Sequence, residues 1–161
     1  MKTKKNVLTD NLFFIAHRGN VFGKEINLEN SPDYIVRALE MGFDVEVDVW
    51  NKHGEWYLGH DNPDHRIDEK FLINDRLWCH AKDFQSLKKL SLLSGVNCFW
   101  HQSDDYTLTK NGFIWTYPGK QLCDLSSSVM PEEIDTQFKN IDHNVAGYCS
   151  DHIMKIKNLL T

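Results

Sequence analysis

Six consecutive residues, Asp44-Val45-Glu46-Val47-Asp48-Val49, constrain this chain more than any others. β-Branched valines alternate with acids at a period of two, which is the pattern of a β-strand. Alternation puts the three valines on one face, shaped to pack against a helix, and sets Glu46 and Asp48 together on the other. Along the strand the two carboxylates stand roughly 7 Å apart. Buried without a counter-charge, one of them would have to take up a proton. On the strand alone two readings stay open. The acidic face is turned to solvent, or it holds a divalent cation, since hard cations prefer carboxylate oxygen.

The neighbouring segments make a strand-helix-strand unit. Residues 12–17 read as a buried strand ending in His17-Arg18-Gly19. Ser31-Pro32-Asp33 starts a helix, with a capping hydroxyl, Pro in the first turn and an acid at the positive end. Ile35, Ala38 and Leu39 form its inner stripe and Gly42 ends it. After the acidic strand and a turn at 51–54 come a third strand at 55–59, ending in His60-Asp61, and a polar loop at 62–68. A short helix is expected over 68–73 and a fourth strand over 77–81. Asp83 caps the next helix, with Leu87 and Leu90 inward and Gly95 as its stop. Further strands are expected at 96–100, at 113–117, within 122–125 or at 129–130, and at 145–149. Pro131 opens a helix carrying Ile134, Phe138 and Ile141, and Asp151 caps a final one carrying Ile153, Ile156 and Leu160.

Strands alternating with helices predict a mostly parallel sheet with right-handed crossovers. About eight strands imply a barrel, yet 161 residues leave about 20 per repeat, against roughly 31 in a typical 250-residue barrel. Several crossover helices must therefore be shortened or missing. The expected fold is α/β, a compact TIM-barrel-like (β/α) domain spanning residues 1–161.

Composition excludes some functions. A net charge of −5 leaves no basic footprint for nucleic acid. Cys79, Cys98, Cys123 and Cys149 are widely spaced and form no Cys-x-x-Cys pair, so they read as reduced thiols of a cytoplasmic protein. Lys2, Lys4 and Lys5 resemble the start of a signal peptide, but the apolar run at 12–16 is too short for its core or for a membrane span.

Polar residues recur at strand C-terminal ends: His17 and Arg18, Glu46 and Asp48, His60, His80. In a parallel barrel these ends form the active-site mouth. Two carboxylates, three histidines and an arginine in one mouth describe a metal-assisted site for an anionic substrate. The tryptophans read as core, and His101, His143 and His152 as structural or surface residues. His101-x-x-Asp104-Asp105 is a weaker second cluster that could face the mouth.

His17-Arg18-Gly19, Glu29-Asn30-Ser31, Glu46-x-Asp48 and Gly59-His60-Asp61, in this order and spacing, resemble the glycerophosphodiester phosphodiesterase family, a branch of the phosphatidylinositol-specific phospholipase C type of barrel. The resemblance is close over about the first 61 residues and thinner beyond, where 145–151 looks like the family's final strand and turn. It implies His17 and His60 as the acid/base pair, Arg18 and Lys82 on the phosphate, and Glu29 and Asn30 lining the mouth. It implies Glu46 and Asp48 as ligands of one divalent metal. The family's Glu-x-Lys motif is here His80-Ala81-Lys82, so His80 stands in the third ligand position. Imidazole there weakens the case for calcium and improves that for manganese, zinc or iron beside magnesium. Leu28 and Ser31 replace the family's Pro and Thr around Glu-Asn.

The function expected is hydrolysis of a small phosphodiester with a neighbouring hydroxyl. The alternatives are a cyclising, phospholipase D-like lyase and a non-catalytic module that binds a phosphosugar or glycerol phosphate. With helices missing, apolar barrel wall would be exposed, and a homo-oligomer would cover it.

Overall fold

The computed structural model describes residues 12–161, so Lys2, Lys4 and Lys5 lie outside the described residues. Strand β1 (Phe13–His17) leads through helix α1 (Pro32–Glu40) to β2 (Asp44–Lys52), the acidic strand. A hairpin, β3 (Glu55–Leu58) and β4 (His65–Ile67), and a single turn, α2 (Glu69–Leu72), precede β5 (Leu77–Ala81). Helix α3 (Phe84–Leu92) connects to β6 (Asn97–Phe99). Then come β7 (Tyr106–Leu108), β8 (Ile114–Thr116), β9 (Ser126–Val129), β10 (Gly147–Ser150) and the closing helix α4 (Ile153–Leu160).

All these strands join one curled sheet with β2 at its centre. β1 pairs in parallel along one edge of β2, Ala16 opposite Val45, and β5 along the other, Val47 opposite Cys79. From β1 the sheet continues through β10, β9 and β8 to β7, and beyond β5 lies β6. The edges of β6 and β7 are not paired as strands. The gap is bridged by isolated contacts instead, among them the Lys110 N–H, donating to the Cys98 carbonyl at 2.9 Å, and the Asn111 N–H, donating to Asn97 Oδ1 at 3.2 Å. The fold is thus mixed α/β with a partial barrel, and the ladder does not run round a complete (β/α)8 barrel.

Alternation on β2 sorts the two faces as its sequence dictates. Val45, Val47 and Val49 are fully buried on the outer face with Ile35, Ala38 and Leu90 from α1 and α3. Each buried valine contributes about 1.5 kcal/mol or more. The inner face carries Glu46 and Asp48 above an aromatic floor. There Phe13 meets Trp78 and Phe113 edge-on at 5.5 and 4.9 Å, and Phe99 packs on Trp115 at 4.5 Å. The floor fills the barrel interior beneath the two acids, and at its far end Trp78 donates its indole N–H to Asp44 at 3.0 Å.

The structure differs from expectation in six places, the sixth being the missing side-chain cap at Ser31. The third strand is antiparallel to β2, Val49 opposite Leu58, and continues into β4. β7 forms between the strands expected at 96–100 and 113–117, where no further element was expected. The seventh expected strand is Ser126–Val129, built from buried serines. The helix expected at Pro131 is one 3-10 turn, Pro131–Glu133, and Ile134 beyond it is exposed. The Asp135 carboxylate accepts the N–H groups of Gln137, Lys139 and Asn140, and so competes with helix formation. Finally, Asp151 does not cap α4, whose first turn follows His152. Asp83 does cap α3, in a reciprocal box with Ser86, whereas Ser31 makes no side-chain cap. Cys79, Cys98 and Cys149 are buried free thiols, as expected, while Cys123 is exposed. Among the described residues no helix is long and apolar enough to cross a membrane.

Gly147 is where β10 meets β1 most closely. A Cβ there would stand 2.5 Å from the Phe13 carbonyl oxygen and 2.7 Å from Phe13 Cβ. Gly147→Ala is expected to destabilise by about 1–3 kcal/mol through overpacking against main chain, read as a fall in the urea midpoint at constant slope.

Candidate functional site

An open cleft of about 430 Å³ lies at the C-terminal ends of the parallel strands. His17, Arg18, Glu46, His60, His80 and Lys82 line one side, and Trp100, Trp115 and Tyr117 stand on the other. His17, Glu46 and His80 come from strand ends. His60 arrives by a different route. β2 runs on past the mouth, the hairpin turns back, and the Gly59 N–H donates to the Asp48 carbonyl at 3.1 Å. That brings His60 down to the level of Asp48. Gly59 has φ +148°, and a Cβ there would strike the Asn62 carbonyl, so only glycine permits the turn.

Asp48 is fully buried at the centre. Its Oδ2 accepts Asn30 Nδ2 at 2.9 Å and meets His60 Nδ1 at 3.2 Å, while Arg18 Nε stands 3.1 Å away as an ion pair without hydrogen-bond alignment. Its Oδ1 faces His80 Nδ1 at 3.1 Å and Lys82 Nζ at 3.4 Å. Burial alone would raise the Asp48 pKa. The His60 and His80 imidazoles set against it, with the charges of His80 and Arg18, hold it well below the usual carboxylate range. Asn30 also accepts the Asp48 N–H, at 2.9 Å, so the acid is gripped by side chain and main chain together.

A second chain of contacts runs behind His17. The Asp151 carboxylate meets His17 Nδ1 at 2.7 Å and accepts Asn20 Nδ2 at 2.8 Å. Asn20 Nδ2 also donates to Glu29 at 2.9 Å, and Glu29 accepts Arg18 Nη1 at 3.0 Å. With Nδ1–H on Asp151, the other ring nitrogen, Nε2, is the one left to accept a proton; it lies 3.9 Å from Glu46. Burial alone would lower the His17 pKa, but the Asp151 hydrogen bond and the Glu46 charge lift it above 6.5. Arg18 sits at φ +53°, a left-handed conformation costing about 1–2 kcal/mol for a residue with a Cβ. Its N–H donates to the Glu46 carbonyl at 3.0 Å, which fixes the turn.

His80 decides what the acids can hold. Its Nε2 lies 2.8 Å from the His101 carbonyl, which can only accept, so Nε2 carries a hydrogen. Nδ1 then points at two carboxylates, Asp48 Oδ1 and Glu46 Oε1, the latter at 3.7 Å. A neutral ring would set a lone pair against both. Either a proton or a cation must lie between them. Potential ligand atoms of Glu46, Asp48 and His80 all fall within 4.8 Å of one another, and Asp48 Oδ1 is buried without a well-formed hydrogen bond. Two carboxylates and an imidazole whose far nitrogen is tied to a carbonyl fit a divalent metal. Without it, Asp48 and Glu46 outweigh desolvation and push His80 up to about 9.

The structure brings His17, Arg18, Glu29, Asn30, Glu46, Asp48, His60, His80 and Lys82 together, but not all at the surface of the cleft. Glu29 and Asn30, expected to line the mouth, lie behind it and hold Arg18 and Asp48. Lys82 reaches the cleft between Asp48 and His60 Nδ1, at 3.4 Å from each. His101 lines the cleft and fixes His80 through its carbonyl, whereas Asp104 and Asp105 are exposed and Asp105 pairs with Lys120. Sequence reasoning missed Asp151 and Asn20. Asp151 follows a strand end, as the other site residues do, and that signal was readable. Asn20 had no signal of its own. Comparison of the chain with family models, curated proteins and solved structures finds no match.

Two outcomes are expected. His80 has a folded pKa above its unfolded 6.5, so the stability it adds is fully present below pH 6.5 and lost as pH rises through about 9. In chelator, that loss should be of order 3 kcal/mol in urea unfolding, and His80→Gln should remove it. In Asp151→Asn the His17 ring, followed by NMR, should titrate at lower pH than in wild type. An unchanged midpoint would show that Asp151 does not govern it.

Proposed function

We propose that the chain is a compact member of the glycerophosphodiester phosphodiesterase type, with a shortened barrel of the phospholipase C kind. In this reading it cleaves a phosphodiester that bears a neighbouring hydroxyl. The observation that carries the proposal is the pair of imidazoles around one arginine. His17 is backed by Asp151 with Nε2 free, and His60 Nε2 lies 3.3 Å from Arg18 Nη2. A site built only to bind an anion needs the arginine but not two proton-transfer groups.

The chemistry follows from these residues. Arg18 and Lys82 bind the phosphate, Arg18 with its planar fork of donors. The neighbouring hydroxyl gives its proton to His17 Nε2 as its oxygen bonds to phosphorus. Asp151 and Glu46 stabilise the imidazolium that forms. The bond to the leaving oxygen breaks, and that oxygen takes a proton from His60. The phosphate must first draw Arg18 off His60 Nε2. Water then opens the cyclic phosphate with the two histidines in reversed roles. Glu46, Asp48 and His80 would hold one divalent metal, which would offset phosphate charge and acidify the attacking hydroxyl.

The test is cleavage of glycerophosphodiesters and an aryl phosphodiester with each of magnesium, manganese, calcium, zinc and iron(II), followed by phosphorus NMR. Wild type should turn over with a metal, and His17→Ala should lower kcat by 10²-fold or more. A product that stops at the cyclic phosphate would assign the lyase. Retained phosphate binding without turnover on any diester would assign the binding module.

A further inference from the structure

The cleft continues beyond its own rim. Tyr117, Pro118 and Val129 wall it on one side, and the same three residues wall a second depression of about 390 Å³. This second space lies on the outer side of the sheet against Ser128 of β9 and Tyr148 of β10. In a repeating barrel a crossover helix would fill that place. Here β9 connects to β10 through one 3-10 turn and irregular chain, so the space stays open. Leu122, Ile134, Phe138 and Ile141 supply its apolar walls. Ile134 is 67% exposed, an uncovered β-branched side chain facing an apolar groove.

The polar groups around this groove are already engaged within the chain. Lys120 pairs with Asp105 at 3.0 Å, and the Tyr148 hydroxyl donates to the Asp142 carbonyl. The Asp135 carboxylate is taken up by the main-chain N–H groups of residues 137, 139 and 140. They leave little for a polar ligand, while the apolar walls can cover methylenes. The charged cleft and the apolar groove meet at Tyr117–Pro118.

We propose that the groove takes the apolar chain of a substrate whose phosphate sits in the cleft, so that the substrate class is a single-chain amphiphilic phosphodiester. This rests on the reading of the cleft as a phosphodiester site. The phosphate lies under Arg18 and Lys82, and the chain crosses the Tyr117–Pro118 rim to lie against Ile134 and Leu122. Each methylene that leaves water for the groove is worth about 0.8 kcal/mol, or roughly fourfold in affinity.

The experiment is calorimetric titration of the whole chain with n-alkyl phosphates from ethyl to decyl, below their micelle concentrations. Alongside it, turnover is measured on phosphodiesters with and without a single acyl chain. Affinity for wild type should rise two- to fourfold per methylene over part of the series. Ile134→Asp should flatten that rise and leave turnover of the unacylated diester unchanged. Leu108→Asp, at an equally exposed residue that does not line the groove, should keep the rise. Phosphate binding with no dependence on chain length in wild type would overturn the proposal. Chain-dependent binding with no turnover of any diester would uphold the groove and overturn the enzymatic reading. Absence of any alkyl phosphate binding would overturn both.

Discussion

A single buried carboxylate, Asp48, holds this site together. It is out of water, and five side chains from four segments of the chain meet it: Arg18, Asn30, His60, His80 and Lys82. A lone ionised carboxylate in that position would be prohibitively costly. Surrounded by cations and donors it stays ionised, and in turn it orients Arg18, Lys82 and two of the histidines. Removing one member of such a buried network typically costs 3–5 kcal/mol, because the remaining charges are left uncompensated. The acid is therefore the structural centre of the site.

The fold serves that centre by separating two kinds of interior. Below Glu46 and Asp48 the barrel is packed with Phe13, Trp78, Phe99, Phe113 and Trp115, which exclude water from the underside of the acids. Above them the cleft opens. The β3–β4 hairpin returns His60 to the level of Asp48, and the turn after β1 holds Arg18 in a left-handed conformation against Glu46. A structure that keeps a strained arginine does so only where surrounding bonds over-determine it. Here the Glu46 carbonyl, Glu29 and Asp48 do so. Economy elsewhere has a consequence. The chain omits a helix between β9 and β10, and the uncovered sheet there presents an apolar groove that opens onto the cleft.

Much of this was legible in the residues. The Val-acid alternation of β2 gave both faces correctly, and the cap at Asp83 and the short room per repeat were readable too. His17, Arg18, Glu46, Asp48, His60 and His80 could be named because chemistry-bearing side chains at strand ends are unusual in sequence, whereas Lys82 was named only through the family resemblance. Errors fell where local and tertiary signals diverged. Asp151 stands before an apolar helix and reads as its cap, yet a partly buried imidazole 134 positions away is the stronger partner. Pro131-Glu132-Glu133 reads as a helix start, but the Asp135 side chain competes for the main-chain donors that a helix would need.

The sequence by itself determined the α/β pattern, which strand carries the acids, and which residue types would meet at the strand ends, because periodicity and side-chain chemistry are local properties. Only the tertiary structure decided that β3 runs antiparallel, that the sheet stops short of a complete barrel, and that Glu29 and Asn30 stand behind the cleft. It alone decided that His80 turns Nδ1 toward the acids, since the His101 carbonyl that fixes its tautomer lies 21 residues away. Strand direction, closure and tautomer depend on contacts between residues far apart in the chain, and no local pattern encodes them.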